Sequence, residues 1–177
     1  EEMVEGGITR FAAIFHGSDS DPVGPIRSAR TTDIRIMESL NWPLFAYSGA
    51  NGGFEAMIQE APLHNVGVSR AGSAYFRGYD HPMPHNLYAN TSSLWRIQGA
   101  DAPFSMWNFR GDRDPLPAGA NRTGGAQLQF GGGTRVVWRW NDADKRFDRE
   151  QNGRTHFDVD NWPVQAPNVI VQLVNYV

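Results

Sequence analysis

The sequence contains no cysteine, and only one of its 16 cationic residues, Lys145, is a lysine. Without cysteine, neither a disulfide framework nor a thiolate metal site can form. No apolar run approaches the roughly 20 residues that a membrane-spanning helix needs. The net charge of −3 argues against nucleic acid as a partner, because nucleic-acid-binding domains carry a basic surface.

Arginine supplies the rest of the positive charge. A planar guanidinium grips a carboxylate or a phosphate through two hydrogen bonds, so this bias suits a surface that binds anions. Codon usage in a GC-rich genome would give the same bias. Composition therefore raises the hypothesis of an anion site without locating it.

The order of apolar segments predicts the fold class. With 177 residues, 40% of them hydrophobic, the chain is long enough for one substantial core. Apolar runs at residues 8–16 and 44–47 predict strands, and helical spacing at residues 25–40 and 54–60 predicts a helix after each. Because such alternation is typical of α/β proteins, we predict a small, mostly parallel, helix-covered sheet in the N-terminal part.

The last third of the chain has a different pattern. Short β runs separated by turn residues predict antiparallel β hairpins there, at residues 126–130, 134–140, 146–150 and 168–176. Residues 111–125 are rich in glycine, proline and aspartate and predict a loop or boundary. We therefore predict an α/β part over residues 1–110 and a β part over residues 126–177. We expect the two to pack as one unit and the β part to be truncated at its C-terminus.

Charged residues flank the apolar segment 11–15 on both sides. They lie in two strings, V-E-G-G-I-T-R-F at residues 4–11 and V-G-P-I-R-S-A-R at residues 23–30. Because an unpaired buried ion is costly, charges beside a core strand need partners. We expect a structural ion network made by Glu5, Arg10 and Asp33.

A pocket that binds anions is the leading functional hypothesis. In parallel sheets, ligands bind beyond the carboxyl ends of the strands, where His16 and Ser48 are expected. The glycine-rich loop after Ser48 has free backbone N–H groups that can cradle an anion. The predicted ligand-binding residues are Arg27, Arg30, Ser28, Ser48, Gly49, Asn51 and Asn86.

The same residues leave an enzyme open as the alternative. His16, His85 and Ser48 are the candidate catalytic residues of a hydrolase or transferase, in which a histidine is the base and the arginines stabilise developing negative charge. No nucleophile motif supports a triad, and a histidine bonded to backbone is the plain alternative for His85. We predict no metal, because Pro82 and Pro84 between His81 and His85 exclude helical metal-ligand spacing and no close carboxylate beyond Asp80 completes a ligand set. We also predict no cofactor. A protein-binding accessory module is a third possibility.

Several strings together resemble a known family. The two strings above, S-G-A-N-G-G, P-H-N-L-Y and the C-terminal pattern V-V-W-R-W-N-D … F-D-R-E-Q-N-G-R-T-H … P-N-V-I-V-Q are similar to the YerB-like family of bacterial lipoproteins, a domain of unknown function. The resemblance implies an extracytoplasmic protein whose only membrane attachment is a lipid anchor absent from this chain. It implies no established activity. The expected partner is an anionic polymer or a protein of the cell envelope.

Overall fold

The computed structural model describes residues 1–111 and 113–174, and for Glu5 the backbone alone. Two compact units make up the chain. Ala12–Arg110 forms one, named here the helical unit. Glu1–Phe11 joins the segment from Gly111 onward in the other, named here the sheet unit. The predicted bounds at residues 110 and 126 stay a prediction.

Three α-helices, two short 3₁₀ helices (Glu5–Gly7 and Gly72–Ala74) and eleven strands are found in the described residues. The helices are α1 (Thr31–Met37), α2 (Gly52–Glu60) and α3 (Thr91–Ile97). The strands, in chain order, are β1 (Glu2–Val4), β2 (Ile8–Arg10), β3 (Leu44–Phe45), β4 (His64–Asn65), β5 (Tyr75–Arg77), β6 (Leu87–Ala89), β7 (Gly125–Gln129), β8 (Arg135–Asn141), β9 (Arg146–Gln151), β10 (Arg154–Thr155) and β11 (Gln165–Ala166).

The predicted α/β fold class is wrong. In the described part of the helical unit, the strands form two separate pairs, β3 with β4 in parallel and β5 with β6 antiparallel. The parallel pair has two residues on each strand, too few to support a helix-covered parallel sheet. Of the first predicted strand, residues 8–16, only β2 is present. Phe11 and Ile14, which the sequence predicts to be buried, are 50% and 57% exposed.

The expected helix over residues 25–40 begins only at Thr31, because the chain before it is extended and paired. Val23 forms a bridge with Ala89 of β6, and the Ile26 N–H donates to the Leu87 carbonyl at 2.7 Å. The Ala29 N–H, which a helix starting at residue 25 would direct to the Pro25 carbonyl, donates instead to the Gly49 carbonyl at 2.9 Å. The local spacing of apolar residues and the proline at position 25 agree with either a helix or an extended segment. Pairing with a distant strand makes the segment extended.

The start of helix α2 is set by a capping side chain, Asn51, and by the buried residues on one face of the helix. The Asn51 side-chain oxygen accepts the Phe54 N–H at 2.9 Å, which satisfies one of the free donors of the first turn. Phe54 and Ile58, four residues apart, are both buried on one face. They join a core cluster with Met37 of α1, Phe45 of β3 and Tyr47, which follows β3. This core holds the loop after Tyr47 in place.

The sheet unit contains an antiparallel sheet in the order β10-β9-β8-β7, and β11 also pairs with β9. The turn between β9 and β10 consists of Asn152 and Gly153, both with positive φ, at 51° and 79°. Those angles belong to a type I′ hairpin turn, for which Asn-Gly is the favoured sequence. In the described part of residues 168–176, where the sequence predicts a last strand, residues 168–174 form none.

Candidate functional site

The side chain of Arg27 meets His85 in the helical unit. The extended segment before Arg27 runs beside β6, so its side chain reaches the loop that leads into that strand. Nη1 of Arg27 donates to Nδ1 of His85 at 2.8 Å and lies 3.3 Å from the carbonyl oxygen of Pro84. Two predicted site residues, 58 positions apart in sequence, therefore form a direct contact.

This contact fixes the tautomer of the neutral imidazole. A guanidinium can only donate hydrogen bonds, so Nδ1 of His85 must accept. The proton of the neutral ring is then on Nε2. The pair presents an N–H donor from His85 beside the positive charge of Arg27, which is a suitable arrangement for an anion.

Arg27 is half-buried, and no carboxylate among the described residues lies within ion-pair distance of it. The nearest acidic residue along the loop, Asp80, is engaged elsewhere. It accepts a hydrogen bond from the Tyr88 hydroxyl and lies 3.5 Å from Nε2 of His81. The Tyr88 hydrogen bond lowers the pKa of Asp80 from its ordinary value. Arg27 is therefore a cation without an acidic partner in the part of the chain described.

Ser48 and Gly49 lie next to Arg27 through the backbone. The Ser48 N–H donates to the Arg27 carbonyl at 3.0 Å, and the Ala29 N–H donates to the Gly49 carbonyl at 2.9 Å. The Ser48 N–H is therefore already hydrogen-bonded within the protein. A Cβ on Gly49 would meet nothing within 4 Å. These backbone hydrogen bonds join the loop after Tyr47 to residues 27–29, so Ser48 and Gly49 lie beside the Arg27 backbone.

Asn51 and Asn86 have local structural partners. The Asn51 oxygen caps α2, and the Asn86 amide nitrogen donates to the Gly78 carbonyl at 2.9 Å. Asn86 is buried, and its oxygen accepts from Nη1 of Arg77 at 2.8 Å. The two Asn86 contacts close the β5–β6 hairpin. The contacts of Asn51 and Asn86 do not direct either amide to Arg27.

Arg30 and Asp33 meet at the start of α1. The Arg30 N–H donates to Oδ2 of Asp33 at 2.6 Å, and Nη1 of Arg30 donates to the Ala29 carbonyl at 2.9 Å. The same nitrogen lies 3.4 Å from the carbonyl of Ser28, whose side chain is exposed. Asp33 therefore anchors the first turn of its own helix.

The predicted ion network falls on both units. Arg10 is half-buried on β2 in the sheet unit, whereas Asp33 is buried on α1 in the helical unit. The Glu5 side chain, the third expected member, lies outside the described atoms.

The other two catalytic candidates are not joined to His85 by any hydrogen bond among the described residues. His16 is exposed in a segment without regular structure, and no side-chain hydrogen bond links it to the described part of the chain. His85 bonds to Arg27, with no serine or carboxylate on its ring in that same part. No group of three or more potential metal ligands occurs within the described residues.

The sequence analysis overlooked Arg149, which is wholly buried in the sheet unit. Nη2 lies 2.6 Å from Oε1 of Glu1, Nε lies 3.2 Å from Oε2, and Nη1 donates to Nδ1 of His156 at 2.7 Å. The ring of Phe11 lies under the guanidinium at 4.9 Å. Strand alternation was the sequence signal that could have indicated its burial, because it puts Arg149 on the same face of the strand as Phe147.

Two family models place the chain in a defined class. It belongs to the family described as "Protein of unknown function (DUF3048)": the N-terminal domain matches residues 1–104 and the C-terminal domain matches residues 126–177. The expected membership of a YerB-like family is confirmed.

A sequence match and a structural match define the resemblance further. The chain is 31% identical over 91 residues to "Putative lipoprotein YerB" of Bacillus subtilis (strain 168), a match that spans 51% of this chain and 27% of that protein. A crystal structure of YerB protein from Bacillus subtilis matches with a TM-score of 0.67 at 21% identity. That match covers 93% of this chain and 57% of the crystallised one. Within the described residues, no helix is long and apolar enough to span a bilayer.

Proposed function

We propose that this chain is an extracytoplasmic domain of a membrane-anchored lipoprotein, and that it binds an anionic group of a cell-envelope polymer at Arg27. The location outside the cytoplasm rests on a relative that is named a lipoprotein. The binding rests on one observation: Arg27 is a half-buried residue whose guanidinium contacts His85, and it has no carboxylate partner among the described residues.

The physical argument concerns the cost of leaving such a charge without a counter-ion. A guanidinium that is partly removed from water loses hydration, and an anionic ligand restores the lost interaction. Arg27 is held in place by His85 and by the Pro84 carbonyl, so little side-chain entropy remains to be lost on binding. The exposed ring of His85 supplies a further N–H donor.

A hydrolase or transferase at the same place receives less support. That hypothesis requires a serine or carboxylate within hydrogen-bonding reach of His85, and no such bond joins the described residues. Binding without turnover therefore agrees best with the contacts.

Calorimetric titration with three polymers tests the proposal. Poly(glycerol phosphate) supplies phosphates, polygalacturonate supplies carboxylates, and dextran is an uncharged control of similar size. We expect binding of at least one charged polymer that weakens as salt rises, and none of dextran. Absence of binding to both charged polymers, or equal binding to dextran, would overturn the proposal.

A further inference from the structure

A polar cleft lies in the sheet unit, where the chain turns from β9 into β10. It is shallow, has a volume of about 510 Å³, and is lined by Gln151, Asn152, Arg154, Thr155 and His156. The Asn-Gly turn fixes the backbone at its edge. Arg154 is the charged residue of this lining.

The imidazole of His156 is held from two sides. Its Nδ1 accepts a hydrogen bond from Nη1 of the buried Arg149 at 2.7 Å. The ring of Phe11 stacks on it, with centroids 5.9 Å apart and planes at 15°. Because Arg149 can only donate, the neutral imidazole carries its proton on Nε2, which has no hydrogen-bond partner among the described residues.

Two causes keep this ring neutral. Burial lowers the pKa of His156, and the positive charge of Arg149 lowers it further. The negative charges of Glu1 and Asp158 act in the opposite direction but do not reverse the shift. At neutral pH the cleft therefore has an N–H donor whose tautomer and orientation are fixed by its neighbours.

Positive charge at the cleft has no acidic partner among the described residues. Arg154 is exposed and forms no ion pair there. Nη2 of Arg135 lies 3.5 Å from the point where a Cβ on Gly153 would stand, so a second guanidinium lies at the turn. The lining itself contains no carboxylate.

We propose that this cleft binds a carboxylate or phosphate group, to which Arg154 supplies charge and Nε2 of His156 and the Thr155 hydroxyl donate hydrogen bonds. The residues of this cleft differ from those at Arg27, and neither proposal depends on the other. Carboxylate and phosphate share the required chemistry, because each offers anionic oxygens to several donors.

NMR titration of the ¹⁵N-labelled full chain tests the proposal with inorganic phosphate, acetate and sodium chloride at matched ionic strength. We expect saturable shifts at the amides of residues 152–156 and at the His156 ring with phosphate or acetate, and none with chloride. Tighter binding of phosphate identifies a phosphate site, and tighter binding of acetate identifies a carboxylate site. Absence of a saturable shift with both anions would overturn the proposal.

Two arginine variants separate specific binding from general charge. Arg154→Gln should weaken binding about tenfold or more, because it removes a charge-assisted hydrogen bond. Arg146→Gln removes the same charge outside the cleft and should change affinity less than about twofold. Equal losses in the two variants would contradict the assignment.

Two further measurements complete the test. Ring nitrogen shifts at pH 7 should show the proton of His156 on Nε2, and a proton on Nδ1 would contradict the proposed donor. Arg27→Gln should leave the titration unchanged, which keeps this result distinct from the fate of the site at Arg27.

Discussion

Arg149 and Glu1 form a side-on ion pair in which both carboxylate oxygens face the guanidinium, at 2.6 and 3.2 Å. The arginine side chain is fully buried and that of Glu1 is 10% exposed. Gln151 and His156 accept further hydrogen bonds from the same guanidinium, and Phe11 packs on it. The pair joins the first residue of the chain to the middle of β9.

Glu1→Gln should destabilise the sheet unit by roughly 3 kcal/mol, because it leaves a buried guanidinium without its counter-charge. Urea unfolding followed by tryptophan fluorescence measures the change. Asp142→Asn is the matched control, since it removes the exposed pair of Asp142 with Lys145 and should leave the midpoint nearly unchanged. Similar effects of the two variants would show that Arg149 is not the buried, paired group described.

Gly7 and Gly6 offer a comparison between steric overlap and backbone strain. Both have positive φ, at 68° and 80°, but a Cβ on Gly7 would stand 2.1 Å from the backbone of Gly131, whereas one on Gly6 would meet nothing within 4 Å. Gly6→Ala should cost about 1 kcal/mol from strain alone. Gly7→Ala should cost about 2 kcal/mol more, from overlap. Equal unfolding free energies for the two variants would contradict the close approach of these turns.

Stability should fall as the pH drops below about 6.5, the ordinary pKa of histidine, through the lowered pKa of His156. In that interval the unfolded chain binds a proton that the folded protein does not, so the unfolding free energy rises with pH. His156→Gln should flatten this slope between pH 5 and 7. An unchanged slope in the variant would assign the pH dependence to another group.

Asp21 should order the start of α3 only while it is ionised. Its carboxylate accepts hydrogen bonds from the Ser92 hydroxyl, the Ser92 N–H and the Thr91 hydroxyl. The Ser92 hydroxyl is the largest cause that lowers the pKa of Asp21. This stabilisation is present above the ordinary aspartate pKa and is lost as the pH falls through the lowered one.

Hydrogen exchange measures this effect locally. Asp21→Asn should speed exchange at the Ser92 amide, because the asparagine side chain has no negative charge to strengthen the hydrogen bonds from the three donors. Asp19→Asn is the control, since Asp19 is exposed in the same loop. Equal exchange in both variants would contradict the capping role of Asp21.

Short-range features of the fold could be predicted from the sequence. The spacing of Phe54 and Ile58 indicated α2, and the glycines and asparagines of the last third indicated hairpin turns that the structure contains. These signals are local, because helical spacing and a tight turn each depend on a few adjacent residues.

Long-range features could not be predicted in the same way. Residues 23–30 are extended because β6 and the loop after Tyr47 pair with them. The spacing of apolar residues within 23–30 does not indicate those partners. The contact of Arg27 with His85 depends on that pairing. Arg149 was missed because its partner Glu1 is 148 positions away, and a buried arginine is exceptional on a strand.

In the proposed function, Arg27 provides the charge that holds an anionic envelope polymer. The most direct measurement is the affinity of Arg27→Gln for the charged polymer that binds the unaltered protein, compared with Arg70→Gln, which removes an exposed arginine of the same unit. We predict a loss of about tenfold or more for Arg27→Gln and less than about twofold for Arg70→Gln. Equal affinities of the two variants would contradict the account.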